Sequence, residues 1–147
     1  MQILVDGDVV LYMALHSAEE DTLESCTERY VGILADVAEM HFVAADNLEV
    51  FLSDANTNFR KINYKTYKAN RKSRVPPTHL AALKQWVANN VENVKGSPGG
   101  EADDFLLIRA AELDEAGVSW VIATIDKDLK THPGRFYNLR RRDWEDV

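Results

Sequence analysis

Three short apolar runs in this chain each close on an aspartate: QILVD at residues 2–6, LEVFLSD at 48–54 and VSWVIATID at 118–126. Short runs of this kind, separated by stretches of helical periodicity, read as strands, and strands alternating with helices specify an α/β domain with a mostly parallel sheet. Between the first two, Glu24 to Val43 places Tyr30, Ile33, Leu34, Val37 and Met40 at three- and four-residue spacing, the pattern of an amphipathic helix. After the second run come a helix from about Thr78 to Asn90, started after Pro76 and Pro77, and a short strand near VENVKG. A further helix follows GGEADD, with Gly117 placed as its C-cap.

The chain has 147 residues and is 46% hydrophobic, which supports one domain with its own core and is too short for two. Its single cysteine, Cys26, excludes an internal disulfide framework and a Cys-rich zinc site. The apolar start ILVDGDVVLYMALH contains Asp6 and Asp8 and lacks a basic leader, unlike a signal peptide. No apolar run approaches the roughly 20 residues of a membrane span. The expectation is a soluble, cytoplasmic protein with no membrane partner.

In an open parallel sheet the C-terminal strand ends share one edge, where ligand crevices form. Asp6, Asp54 and Asp126 fall at three such ends, and Asp128 follows two residues after the last. The helix after SPGG should begin on the same edge, bringing Glu101, Asp103 and Asp104 in its first turn. Singly, an aspartate at a strand end is a common turn residue, and acids in a first helical turn gain about 0.3–1 kcal/mol from the macrodipole. Seven acids converging on one crevice would repel one another unless a cation intervened. Oxygen ligands without His or Cys point to Mg²⁺ or Mn²⁺. Asp8 reads as a helix N-cap, and His16, His41, His79 and His132 lack ligand spacing and receive no role.

A net charge of −7 argues at first against a nucleic-acid partner, yet the positive charge is concentrated. FRKINYKTYKANRKSR, residues 59–74, carries Arg60, Lys61, Lys65, Lys68, Arg71, Lys72 and Arg74 with no acid among them. A second basic run spans Arg140 to Arg142. A local positive path of this kind can bind phosphate even on an acidic protein.

Taken in order, ILVDG, FLSD, FRKINYKTYKANR, GGEADD and ATIDKDL resemble the 5′-nuclease family: flap endonucleases, the 5′-nuclease domain of bacterial DNA polymerase I and phage 5′-to-3′ exonucleases. The resemblance spans nearly the whole chain. It implies a Rossmann-like, PIN-type sheet and two divalent metals that hydrolyse phosphodiesters of DNA, or of RNA in hybrids, near a 5′ end. By the same resemblance Asp6, Asp54, Glu101 and Asp103 match the tighter metal site, and Asp104, Asp126 and Asp128 match the second. Arg60, Lys68 and Arg71 match the basic residues of an arch that holds the scissile phosphate and the 5′ strand. Tyr64 and Tyr67 could stack on unpaired bases, each worth about 1–3 kcal/mol, and Tyr67 could equally pack the arch.

Relatives continue past a strand like GRFYNL into a further acidic segment and a helix-three-turn-helix that grips the duplex, whereas this sequence closes on RRRDWEDV. The second metal site is therefore expected to be incomplete, and residues 1–147 to form a single PIN-like domain without the duplex-binding module. An N-terminal portion, a split protein completed by a separately encoded segment and a minimal nuclease all satisfy the sequence. Two other functions compete: a non-catalytic nucleic-acid-binding module, and a PIN-type ribonuclease that needs no arch.

Overall fold

The computed structural model describes residues 1–15, 22–53, 79–95, 102–125 and 133–147, with the backbone alone of Asp103. In chain order its elements are β1 (Gln2–Asp6), α1 (Gly7–Leu15), α2 (Leu23–Met40), a 3-10 turn (Ala45–Asn47), β2 (Leu48–Phe51), α3 (Leu80–Asn90), β3 (Val94–Lys95), α4 (Ala102–Ala116), β4 (Trp120–Thr124), β5 (Arg135–Asn138) and β6 (Asp143–Asp146). The strands form one sheet in the order β3-β2-β1-β4-β5-β6, parallel throughout except for β6, which runs antiparallel to β5. This is the mixed, mostly parallel α/β architecture expected from the apolar runs. Every residue of β2 and β4 is buried, as the near-continuous apolar runs require of a sheet covered on both faces.

Side-chain alternation divides the core. Ile3, Val5, Val50, Val121 and Ala123 face α1, α2 and α3, where they meet Val10, Leu34 and Leu83. Leu4, Phe51, Ile122 and Phe136 face α4 and pack on Leu106 and Ala110. Full burial of a side chain such as Leu106 or Ile122 stabilises the fold by about 1.5–3 kcal/mol. Since alternate residues of a strand share a face, Asp6 lies on the Leu4 side of β1 and Thr124 on the Ile122 side of β4, both beneath α4.

Local chemistry fixes the helix ends. The Thr22 hydroxyl accepts the Ser25 N–H at 3.1 Å and caps α2. At the end of α4, Gly117 N–H donates to the Asp114 carbonyl at 3.1 Å and Val118 N–H to the Leu113 carbonyl at 2.9 Å, with Gly117 at φ +71°. That pair of bonds is the Schellman motif, and it needs the left-handed residue that glycine supplies. Gly7 is required for a different reason: a Cβ there would lie 2.6 Å from the Phe51 carbonyl oxygen. Its absence lets α1 start directly against β2.

Four expectations from sequence change. Asp8 does not cap a helix but lies inside α1, and Asp6 occupies the cap position, its Oδ1 accepting the Val9 N–H at 3.4 Å. The second and third apolar runs extend beyond the strands proper, which stop at Phe51 and Thr124. In the second basic run, Arg141 pairs with Asp143 and Arg142 with Asp36, so its charge is largely answered within the fold. His41, given no role, is buried: its Nε2 accepts the Trp144 indole N–H at 2.8 Å. An indole can only donate, so Nδ1 carries the His41 proton and donates to the Val37 carbonyl at 2.7 Å, tying β6 to the end of α2. Among the described residues no helix is long and apolar enough to cross a membrane.

Candidate active site at the sheet edge

The sheet order reverses direction between β1 and β4: β2 and β3 extend one way from β1, β4 and β5 the other. Such a switch point opens a crevice at the C-terminal strand ends. Asp6 stands there, the last residue of β1, with its side chain buried. The Thr124 hydroxyl, at the end of β4, donates to Asp6 Oδ2 at 2.9 Å. Together with the Val9 N–H on Oδ1, this bond fixes the carboxylate across the seam of the sheet.

A second carboxylate lies close by. Asp8, in the first turn of α1 and also buried, accepts the Ser53 N–H on Oδ1 at 3.2 Å and the Ser53 hydroxyl on Oδ2. Ser53 in turn accepts the Ala102 N–H at 2.9 Å on its own hydroxyl oxygen, and its carbonyl takes a hydrogen bond from the Lys84 ammonium. The start of α4 is thereby pinned to the end of β2, as expected from GGEADD. Tyr30, from α2, donates its hydroxyl to the Gly7 carbonyl at 3.2 Å. Burial pushes the Tyr30 phenol well above its usual range, and the charges of Asp8 and then Asp6 push it further. Two buried carboxylates thus create a negative potential at this edge.

Of the predicted metal ligands, the structure places Asp6 at the edge and Asp104 on the exposed first turn of α4, beside the backbone of Asp103. Asp54 follows Ser53, Glu101 precedes Ala102 and Asp126 follows Ile125; these three and Asp128 lie outside the described residues. So do Arg60, Lys61, Tyr64, Lys65, Tyr67, Lys68, Arg71, Lys72 and Arg74. Among the described residues no three His, Cys, Asp or Glu side chains form a group that could hold an ion. What Asp6, Asp8, Ser53 and Thr124 bring to the edge is oxygen, together with negative charge, and that donor chemistry fits a hard divalent cation rather than one that prefers nitrogen or sulfur.

A comparison with protein families matches residues 1–132 to the 5′-3′ exonuclease N-terminal resolvase-like domain. The chain belongs to this family. Comparison with curated protein sequences yields no match. Among solved structures, the chain resembles the bacteriophage T5 flap endonuclease in a pseudo-enzyme–product complex with DNA and metal ions, at TM-score 0.69 and 11% identity. It also resembles the T5 protein co-crystallised with metal ions, at TM-score 0.64 and 16% identity, and the T5 5′-exonuclease with bound zinc, at 0.63 and 16%. At these identities the likeness is one of fold. The domain is covered to 99% in each comparison but spans only 57%, 58% and 57% of the three T5 chains, respectively.

Asp8, Ser53, Lys84, Thr124 and Tyr30 were not singled out as site residues by the sequence. Lys84 carries a signal that could have found it: Leu80, Leu83 and Val87 mark the apolar stripe of α3, and a lysine at position 84 falls on that stripe. A buried ammonium needs a partner, and here Ser53 provides one. For Thr124 and Ser53 the signal was adjacency to strand-end acids in FLSD and ATID.

Proposed function

We propose that this exonuclease domain carries a divalent-metal-dependent 5′-to-3′ exonuclease and flap-endonuclease activity on DNA, with Mg²⁺ or Mn²⁺ as its cofactor. The observation that supports it most is Asp6, buried at the switch point, hydrogen-bonded from β4 and backed by Asp8, in a domain of this family. Asp6, Asp54, Glu101 and Asp103 would hold one cation, and Asp104, Asp126 and Asp128 would serve a second, less complete site. Held there, the cations would supply activation of a water and stabilisation of the leaving oxygen in an in-line displacement at phosphorus.

The chain's own part is placement. Thr124 and the Val9 N–H keep the Asp6 oxygens in one orientation. Arg60, Lys68 and Arg71 hold the phosphate and the 5′ strand, with Lys61, Lys65, Lys72 and Arg74 adding to the positive path. Tyr64 and Tyr67 stack on unpaired bases. Holding the phosphate within reach matters because a misplacement of about 1 Å can cost 10²-fold in rate.

The test separates the two sets of residues. Asp103→Asn should abolish cleavage of a 5′-flap duplex while leaving affinity for that duplex similar or slightly higher. Lys68→Ala should weaken binding and lower the slope of log affinity against log salt by about 1. Equal effects of both substitutions on binding and on rate would overturn the assignment.

A further inference from the structure

Ser53 joins three helices by hydrogen bonds, α1, α3 and α4. Its N–H and its hydroxyl both donate to Asp8 of α1, on Oδ1 and Oδ2. Its hydroxyl oxygen accepts the first amide of α4, that of Ala102, at 2.9 Å. Its carbonyl accepts from Lys84 of α3. Ser53, Asp8 and Lys84 are all buried, so each of these bonds is shielded from water, where an unmatched polar group is expensive.

We propose that Ser53 is a positioning residue of the metal site: one hydroxyl sets the distance between the end of β2 and the N-terminus of α4. Asp8 and Lys84 hold Ser53 in place. The inference rests on the proposed metal-dependent function, because the segments Ser53 joins lead directly into Asp54 on one side and continue from Glu101 into Asp103 on the other. A carboxylate cage needs both segments at fixed separation; β2 ends at Phe51 and α4 starts at Ala102, and beside the packing of those two residues in one core cluster it is the Ser53 hydroxyl that bonds one segment to the other. A hydroxyl is suited to the task. It donates to a carboxylate and accepts from an amide at the same time, which alanine cannot do and threonine can.

The chemistry also accounts for the buried lysine. Lys84 donates to the Ser53 carbonyl at the edge where Asp6 and Asp8 are buried, and its ammonium supplies positive charge that does not depend on a bound ion. On this account Lys84 and Asp8 act through Ser53, not on the substrate.

The experiment measures Mn²⁺ binding by electron paramagnetic resonance and amide hydrogen exchange at Ala102, in the wild type and in Ser53→Ala, Ser53→Thr and Asp8→Asn. Ser53→Ala should lose about tenfold or more in Mn²⁺ affinity, the range found when outer partners of metal ligands are removed. The Ala102 amide should exchange faster in the same variant while the Val121 and Ile122 amides of β4 keep their protection. Ser53→Thr should restore both readouts. Should Ser53→Ala fail to fold, Asp8→Asn carries the same expectation, because its amide offers one acceptor oxygen where the carboxylate offers two and cannot take both the Ser53 N–H and the Ser53 hydroxyl. Wild-type Mn²⁺ affinity in whichever of these two variants folds, or Ala102 protection unchanged there, overturns the positioning role alone. No Mn²⁺ binding by the wild type overturns the metal reading, and the positioning role with it.

Discussion

At the scale of single residues, Thr124 and Glu49 show how the fold spends its buried polar groups. Thr124 is matched in shape by valine, so Thr124→Val removes the donor to Asp6 and little else. Stability should change by only about 1 kcal/mol, the usual net worth of one hydrogen bond. Divalent-ion affinity, followed by calorimetric titration, should fall about tenfold, and Thr124→Ser should recover it. Unaltered affinity in the valine variant would show that Asp6 needs no help from β4. Glu49 has a purely architectural part on the same face of the sheet. Its carboxylate is buried and takes Gln2 at 2.8 Å, Arg109 at 2.9 Å and Lys95 at 2.9 Å. Burial pushes its carboxyl upward, but the hydrogen bonds from Gln2, Lys95 and Arg109 outweigh burial and leave it below the usual carboxylate range. A depressed native value means that the stabilisation is fully present above the ordinary glutamate pKa of about 4.3 and is lost as pH falls through the native one. Glu49→Gln should therefore be about 1–3 kcal/mol less stable than the wild type at pH 7 in urea unfolding. That gap should close as the pH is lowered through the acid range.

At the scale of elements, two glycines separate support of the site from support of the fold. Gly117 stands at φ +71° with open space around a would-be Cβ, so Gly117→Ala meets only the left-handed backbone cost of about 1–2 kcal/mol. Thermal unfolding should register that loss while ion affinity stays unchanged. Gly7→Ala drives a methyl against the Phe51 carbonyl, an overpacking that costs about 1–3 kcal/mol and moves α1 away from β2. Because α1 carries Asp8 and begins just after Asp6, Gly7→Ala should lower both melting temperature and Mn²⁺ affinity. The elements themselves are legible in the sequence: α2 by its periodicity, α4 by its acidic first turn and the Gly117 that ends it, and β1, β2 and β4 by their apolar runs. Their limits are less so: Leu52 continues the apolar run and still donates its N–H to the Lys95 carbonyl of β3 at 2.9 Å, although β2 proper ends at Phe51. The inward turn of Lys84 was missed because a lysine on an apolar stripe is ordinarily a helix edge. Asp6 and not Asp8 takes the cap position, since a carboxylate at the strand end can accept the Val9 amide and still stand at the sheet edge.

At the scale of the whole molecule, the net charge of −7 conceals a division of charge. The sheet brings Asp6 to the switch point with Asp8 buried in the adjoining helix, whereas residues 59–74 carry seven basic side chains and no acid in their sequence. Residues 1–132 belong to the 5′-3′ exonuclease N-terminal domain family, and the T5 likeness is one of fold. The central claim is that the Asp6 edge holds the ion that cleaves DNA, and it is tested most directly by incubating a 5′-labelled flap duplex with the purified chain in Mn²⁺, in Mg²⁺ and in EDTA, beside Asp6→Asn. The account predicts cleavage near the 5′ end that is stronger with Mn²⁺ than with Mg²⁺ and absent both in EDTA and in the variant. Cleavage that persists in EDTA or in Asp6→Asn, or none above the blank with either metal, would contradict it.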